Sequence, residues 1–273
     1  MEYRELGWTG LKVSAVSLGA WQFSESWGVL DYNLAKSIIE KAVNVGINFI
    51  DTAAVYGRGK SEEFVGRALK ELGVKDKVLI ATKLPGDFMN EYDVFKGTER
   101  SLKRLGVDVI DLMQVHWPPI WHNFPTCEYM RALERLVIMG KIRYIGLSDF
   151  PVELIESARQ CLSVTDIVSI QIRYNLVERY AEKELIPYAE REGLAILAWS
   201  PIAKGALSGK YDSKTDLLAR PQVIINRHPF QADHWFPSSI RGYICHLRGS
   251  RGGQRSPIYI LLMWLPIPHP EEA

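Results

Sequence analysis

Four residues with complementary chemistry stand where apolar runs of this 273-residue chain end. Asp51 closes INFID, Tyr56 follows five residues later, Lys83 closes VLIATK and His116 closes VIDLMQVH. An acid beside a lysine holds the ammonium charged, and a charged lysine beside a phenol stabilises phenolate, drawing the tyrosine pKa from about 10 towards neutrality. The phenol then becomes a usable proton donor. A histidine at the same spot can hydrogen-bond a carbonyl oxygen and turn it towards that donor. Singly, each residue has a plainer use: Asp51 with Thr52 as an Asx-turn or helix cap, Lys83 as a strand-end charge, His116 as a satisfied core histidine, Tyr56 as a rim aromatic. Jointly, the plain account needs four independent placements on one rim, which favours chemistry.

The elements that would gather these residues recur along the chain. Short β-rich runs start at Val13, Ile47, Val78, Val109, Ile142, Ile167 and Leu194, most of them separated by amphipathic stretches. In LAKSIIEKAVNVG, Leu34, Ile38, Ile39, Ala42 and Val43 share one helical face, and Gly46 suits the C′ position. In SEEFVGRALKELG, Ser61 is placed as an N-cap, two acids occupy the first turn, and Gly73 ends the helix. Seven βα units in series, with near-continuous apolar strands, predict an α/β fold of the (β/α)8 barrel type. In such a barrel every strand opens its C-terminal end onto one face. Polar residues distant in sequence then converge there: Asp51, Lys83, His116, Ser148 with Asp149, Gln171, and Trp199 with Ser200.

Composition narrows the partners. A formal net charge of +1 gives no polyelectrolyte signature, so neither nucleic acid nor an anionic membrane is expected, and a small-molecule substrate is. The opening MEYRELGWTG lacks the basic start and apolar run of a signal peptide, and the apolar run from Ile258 to Ile267 is interrupted by Pro266 and too short to span a bilayer; the expected localisation is cytoplasmic. Cys127, Cys161 and Cys245 are odd in number and widely spaced, which argues against a disulfide framework or a metal site and for buried free thiols.

An ordered set of segments resembles the aldo-keto reductases: SLGAW (17–21), GINFIDTAAVYGRGKSEEFVGRAL (46–69), VLIATK (78–83), DLMQVHWP (111–118), IRYIGLSDF (142–150), IQIRYN (170–175) and LAWSPIAKGALSGKY (197–211). Together they cover about residues 3–214. The resemblance implies a TIM barrel with a short N-terminal β-hairpin closing its bottom, and a nicotinamide cofactor, usually NADPH with NADH possible, bound extended at the top. It further implies Tyr56 as general acid, Lys83 and Asp51 as its tuning pair, and His116 as the carbonyl-orienting group. Ser148, Asp149 and Gln171 would hold the carboxamide, Trp199 would stack on the ring, and the segment from Ser200 through Pro201, Ile202 and Gly205 to Leu207 would wrap the pyrophosphate. Trp21 and Trp117 would line the substrate cleft. The implied activity is reduction of an aldehyde or ketone to an alcohol.

Two departures from that family pattern qualify the expectation. At 149 the family commonly has Asn, which both donates and accepts, whereas an ionised Asp149 only accepts. Beyond Thr215 the texture changes: residues 1–215 hold fifteen lysines and 216–273 none, while the latter hold seven of the fourteen prolines and four of the six histidines. These features divide the chain into a barrel over 1–215 and an atypical tail over 216–273 that replaces the end of the barrel, leaving strand eight and the C-terminal helices incomplete or irregular. SPIYILLMWLPIPHPEEA is similar to the family's last strand only at compressed spacing, and is taken as coincidence. A shifted reading frame accounts for such a tail, and so does a divergent folded one. The alternative function is an impaired or non-catalytic nicotinamide-binding barrel, as in the potassium-channel β-subunits that resemble this family. A Schiff-base aldolase is remoter, since a lysine paired with an acid stays protonated.

Overall fold

Strands buried on both faces must be apolar along most of their length, and the recurring runs of this chain form a parallel sheet accordingly. The computed structural model describes residues 1–24, 31–119 and 124–209, together with the backbone of 259–263. A hairpin of β1 (Tyr3–Glu5) and β2 (Lys12–Ser14) precedes the sheet. The sheet strands are β3 (Val16–Gly19), β4 (Phe49–Asp51), β5 (Leu79–Leu84), β6 (Ile110–Val115), β7 (Ile142–Ser148), β8 (Ile167–Arg173) and β9 (Ala195–Trp199), each parallel to the next.

The eighth position is filled. Strand β10 (Tyr259–Met263) pairs in parallel with β9 on one side and β3 on the other, closing the barrel. Taking the segment around 256–273 as coincidence is therefore corrected for these five residues. The physical reason is that a seven-stranded barrel sheet leaves two edges of unpaired backbone groups, and a short apolar run satisfies both. The rest of the tail, 216–258 and 264–273, lies outside the described residues.

Outside the strands run α1 (Tyr32–Asn44), α2 (Lys60–Leu72), α3 (Glu91–Leu105), α4 (Thr126–Ile138), α5 (Val152–Arg159) and α6 (Leu185–Glu192). Gly46 and Gly73 take left-handed φ of 91° and 64° after their helices, as the sequence predicts. Ser61 is not the N-cap of α2. Gly59 holds that position, and Ser61 sits inside the helix, donating to the Ala20 carbonyl at 2.7 Å and lying 2.8 Å from Thr52 Oγ1. A buried polar bridge to two strand ends outcompetes the capping role.

The core has two compartments. Between helices and sheet lies the larger one, with Ile39, Leu69, Ile80, Met113, Leu133 and Ile170 among its members. Inside the barrel Phe49, Ala81, Leu112, Val168 and Leu197 pack with Leu6 and Val13 of the hairpin region, which plug the lower end. Trp8 fastens that plug by donating to the Ile167 carbonyl at 3.0 Å.

The expectation of free thiols is corrected. Cys127, in the first turn of α4, and Cys161, just past α5, form a disulfide with Cα atoms 4.9 Å apart. A sequence separation of 34 hides the pairing, but consecutive helices of a barrel are neighbours in space. Cys245 lies outside the described residues. Among the described residues no helix is long and apolar enough to cross a membrane.

Candidate active site

Strand alternation explains why chemistry appears at the upper ends. Phe49, Ala81 and Leu112 face the barrel interior, so Asp51, Lys83 and Gln114, two residues further along β4, β5 and β6, face it one layer higher. Lys83 and Gln114 are register partners. All three are buried, with Lys83 and Gln114 at 0% exposure.

A buried ammonium needs compensation, and Lys83 has it. Its Nζ donates to Asp51 Oδ2 at 2.5 Å and to the Thr52 carbonyl at 2.8 Å, and lies 3.3 Å from the Tyr56 hydroxyl. The other Asp51 oxygen accepts from Gln114 Nε2 and Gln171 Nε2, both at 3.0 Å, and Gln171 also donates to Gln114 Oε1 at 3.1 Å. Gln114 was not singled out in the sequence. Its signal was positional: a polar residue in an apolar strand, two before His116, on the face that also carries Leu112. Gln171, assigned by resemblance to the carboxamide, is engaged through its amide nitrogen in orienting Asp51.

Electrostatics correct one expectation. Burial pushes the Tyr56 phenol above its ordinary range; the Lys83 charge and hydrogen bond draw it down, while Asp51 and Asp149 push it up again. The net direction is upward, not towards neutrality. Asp51 sits so close to Lys83 that it cancels much of the ammonium's field at the phenol, and desolvation decides the outcome. Burial likewise opposes the Lys83 charge, but Asp51 and Tyr56 more than offset it and hold the ammonium protonated. Tyr56 is thus the protonated phenol at neutral pH, the form a donor requires.

His116 follows the last residue of β6, and burial followed by the Lys83 charge drives its imidazole pKa well below 6.5. The ring is neutral. Its Nδ1 is buried and has no hydrogen-bond partner among the described residues. The ring stands edge-on to Tyr56 at 5.7 Å between centroids, with Trp117 at 4.5 Å from His116 and Trp21 at 6.4 Å from Tyr56. An unsatisfied polar group between aromatic walls, next to a protonated phenol, suits a polar atom of an otherwise apolar guest.

On the opposite side stand the residues assigned to a cofactor. Ser148 is buried at the end of β7, and Asp149 follows it with a left-handed φ of 57°. Trp199 Nε1 donates to Asp149 Oδ1 at 3.1 Å, and the Arg173 guanidinium lies 4.5 Å from the Trp199 ring centre. Desolvation raises the Asp149 carboxyl while Trp199 lowers it; the side chain opens to solvent, which limits the rise. The loop after β9 is strained, with positive φ at Ser200, Ala203 and Lys204 as well as Gly205. Ile202 anchors it by accepting from Gly205 and Leu207, and Asn175 donates to the Ser200 carbonyl at 3.1 Å. Pro201 is buried at the base of this loop. No cluster of metal-ligating side chains occurs among the described residues.

Comparison with known proteins agrees with this fold. The sequence profile described as the aldo/keto reductase family matches residues 15–228, thirteen residues beyond Thr215. The aldo-keto reductase YhdN of Bacillus subtilis is 39% identical over 77% of this chain and 65% of its own length. A probable voltage-gated potassium channel β-subunit of Arabidopsis thaliana is 36% identical over 78% of this chain and 67% of its own. This chain thus spans about two thirds of the length of these curated relatives. The crystal structure of an aldo-keto reductase from Klebsiella pneumoniae in complex with NADPH superposes with a TM-score of 0.66 at 27% identity, covering 77% of this chain and 72% of that one. A barrel of this topology, carrying this profile over most of its length, belongs to the aldo/keto reductase family.

Proposed function

We propose that the protein reduces aldehydes or ketones to alcohols, taking hydride from NADPH or NADH and the proton from Tyr56. The carrying observation is the chain from Asp51 through Lys83 to Tyr56, at 2.5 and 3.3 Å, ending beside the unsatisfied His116. The substrate oxygen lies between the Tyr56 hydroxyl and the neutral imidazole, and Trp21 and Trp117 cover its apolar body. As the carbon accepts hydride, Tyr56 delivers its proton to the oxygen and Lys83 stabilises the phenolate left behind.

The described residues fit a nicotinamide dinucleotide on a further observation. Two cations stand at the strained loop, Lys204 within it and Arg173 beside it, the latter paired with Glu178 at 2.8 Å; burial first and then Arg173 lower the Lys204 ammonium, and Glu178 opposes them. A pyrophosphate would supply anionic charge there. Trp199 would stack on the ring, with Ser148, Asp149 and Gln171 beside its carboxamide and Ser200, Pro201, Ile202, Gly205 and Leu207 along the phosphates. When bound, the cofactor supplies the hydride and the protein supplies the proton. In this reading the protein acts on small molecules in the cytoplasm, where reducing thiols would act on Cys127–Cys161.

A second reading, an impaired or non-catalytic nicotinamide-binding barrel, draws support from the altered composition beyond 215, where the family resemblance implies contacts to the 2′-phosphate. One experiment separates the two. Tyr56→Phe is expected to lower turnover of NADPH with small aldehydes or quinones by about 100-fold or more while changing cofactor affinity less than threefold. Turnover like wild type in the Phe variant removes the role given to Tyr56. Absence of turnover in wild type, with cofactor bound, selects the second reading.

A further inference from the structure

Beside the cleft, the described residues line an open groove of about 330 Å³ that the proposed reduction does not use, with Val55, Phe88 and Arg100 exposed along it. Val55, Leu84 and Phe88 form its apolar part, and Lys96, Arg100 and Arg104 of α3 form a charged wall. The wall follows from helical spacing: these three cations recur at intervals of four and share one face. Gly97 lies on that face, and a Cβ there would come within 2.8 Å of Leu84 Cδ2, so its absence lets α3 sit close against β5.

The charges of the wall are not equally spent. Arg104 is paired at 2.6 Å with Glu62, whose side chain is wholly buried. Asp93, also on the lining, accepts from Asn90 Nδ2 at 2.6 Å. Lys96 donates to the Tyr92 hydroxyl at 2.7 Å and makes no ion pair among the described residues. Arg100 makes no ion pair among the described residues. Even with Asp93 and Glu62 counted, the wall is net positive.

We propose that this groove is a binding site for a small amphipathic carboxylate. Its chain would lie on Val55, Leu84 and Phe88, and its carboxylate would meet the Arg100 fork and the Lys96 ammonium. The volume falls at the lower end of small-ligand cavities. The site shares a wall with the cleft at two places. Val55 precedes Tyr56, and Pro85 on the lining precedes Gly86, where an added Cβ would lie 2.3 Å from the Trp117 carbonyl oxygen. An occupant therefore presses on the segments that carry the proton donor and one aromatic wall, without entering the cleft.

Titration calorimetry of the full chain with octanoate tests the site. We expect one-to-one binding, at least tenfold weaker in the double variant Lys96→Gln/Arg100→Gln, and octanol binding at least tenfold weaker than octanoate. Neither substituted residue belongs to the proposed reductase machinery, so carbonyl reduction should persist in the variant, and octanoate should alter wild-type turnover noncompetitively. No binding at millimolar octanoate, equal binding by the double variant, or inhibition purely competitive with the carbonyl substrate overturns the proposal. The calorimetric arm decides the question whether or not the protein reduces carbonyls.

Discussion

Trp199 and Asp149, fifty residues apart in sequence, join the ends of β9 and β7 through a 3.1 Å hydrogen bond from the indole Nε1 to the carboxylate. The bond occupies an acceptor of Asp149 and orients the aromatic ring proposed to stack on nicotinamide. An asparagine could keep that bond, tolerates the left-handed backbone at 149, and adds an NH₂ donor for the carboxamide oxygen. Asp149→Asn should therefore tighten cofactor binding by about three- to tenfold, the yield of one ordinary hydrogen bond. Quenching of tryptophan fluorescence measures it. An unchanged dissociation constant would place the carboxamide away from residue 149.

Removal of Lys83 tests the electrostatics of proton donation. In Lys83→Met, burial and the Asp51 and Asp149 charges still raise the phenol while the opposing ammonium is gone. The group governing reduction should titrate at higher pH than in wild type, and turnover should fall by about 100-fold or more. Asp51→Asn should shift the profile less. Stopped-flow reduction across pH, on variants checked for folding by circular dichroism, gives the answer; a lower amplitude with an unmoved profile would make Lys83 purely structural.

His116 makes a prediction with a definite sign. Its folded pKa lies below the unfolded value near 6.5, so the unfolded chain binds the extra proton first. The stability contribution is full above about pH 6.5 and is lost as pH falls towards the folded pKa, by up to about 1.4 kcal/mol per unit. Urea unfolding of wild type and His116→Gln at pH 7.5 and 5.5 should show a shallower loss in the variant. For the same reason kcat/KM should show no titration near 6.5.

The disulfide is open to direct counting. Without reductant and after denaturation, Ellman's reagent should find one reactive thiol per chain, Cys245, and three after reduction. Cys161→Ser should lower unfolding stability by about 2–4 kcal/mol under oxidising conditions and by far less under reducing ones. Three thiols before reduction would show that the bond does not form in solution.

Much of this architecture is written in the strands. The runs ending at Asp51 and Lys83 declare both a parallel strand and its functional end, because burial on two faces demands apolarity and only the last turn inward is free to be polar. Tyr56 and His116 follow from the same rule. Gln114 escaped because a single amide in an apolar run has no periodicity of its own; its role exists only once Asp51 is 3.0 Å away. The direction of the Tyr56 pKa escaped as well, since it depends on a balance between burial and two opposed charges that spacing does not reveal. Ser61 and the cysteines depart from the sequence expectation for a common reason: their partners lie on other elements, and local sequence describes only nearby competitors.

The closing strand sets the order in which this chain can mature. Strand β10 pairs with β3 across 245 residues, Leu261 opposite Val16, so the first barrel strand synthesised waits for one of the last before that edge is covered. At a synthesis rate of about 5–20 residues per second, the open edge persists for roughly 10–50 seconds on the ribosome. During that interval β3 offers a bare ladder of backbone groups to other nascent chains, and β9 joins it once it is made, some sixty residues before β10. Yield of native protein should therefore depend on chaperones and on temperature during expression more than on the stability of the finished barrel, and deleting β10 should leave a product that associates rather than one that folds to a smaller domain.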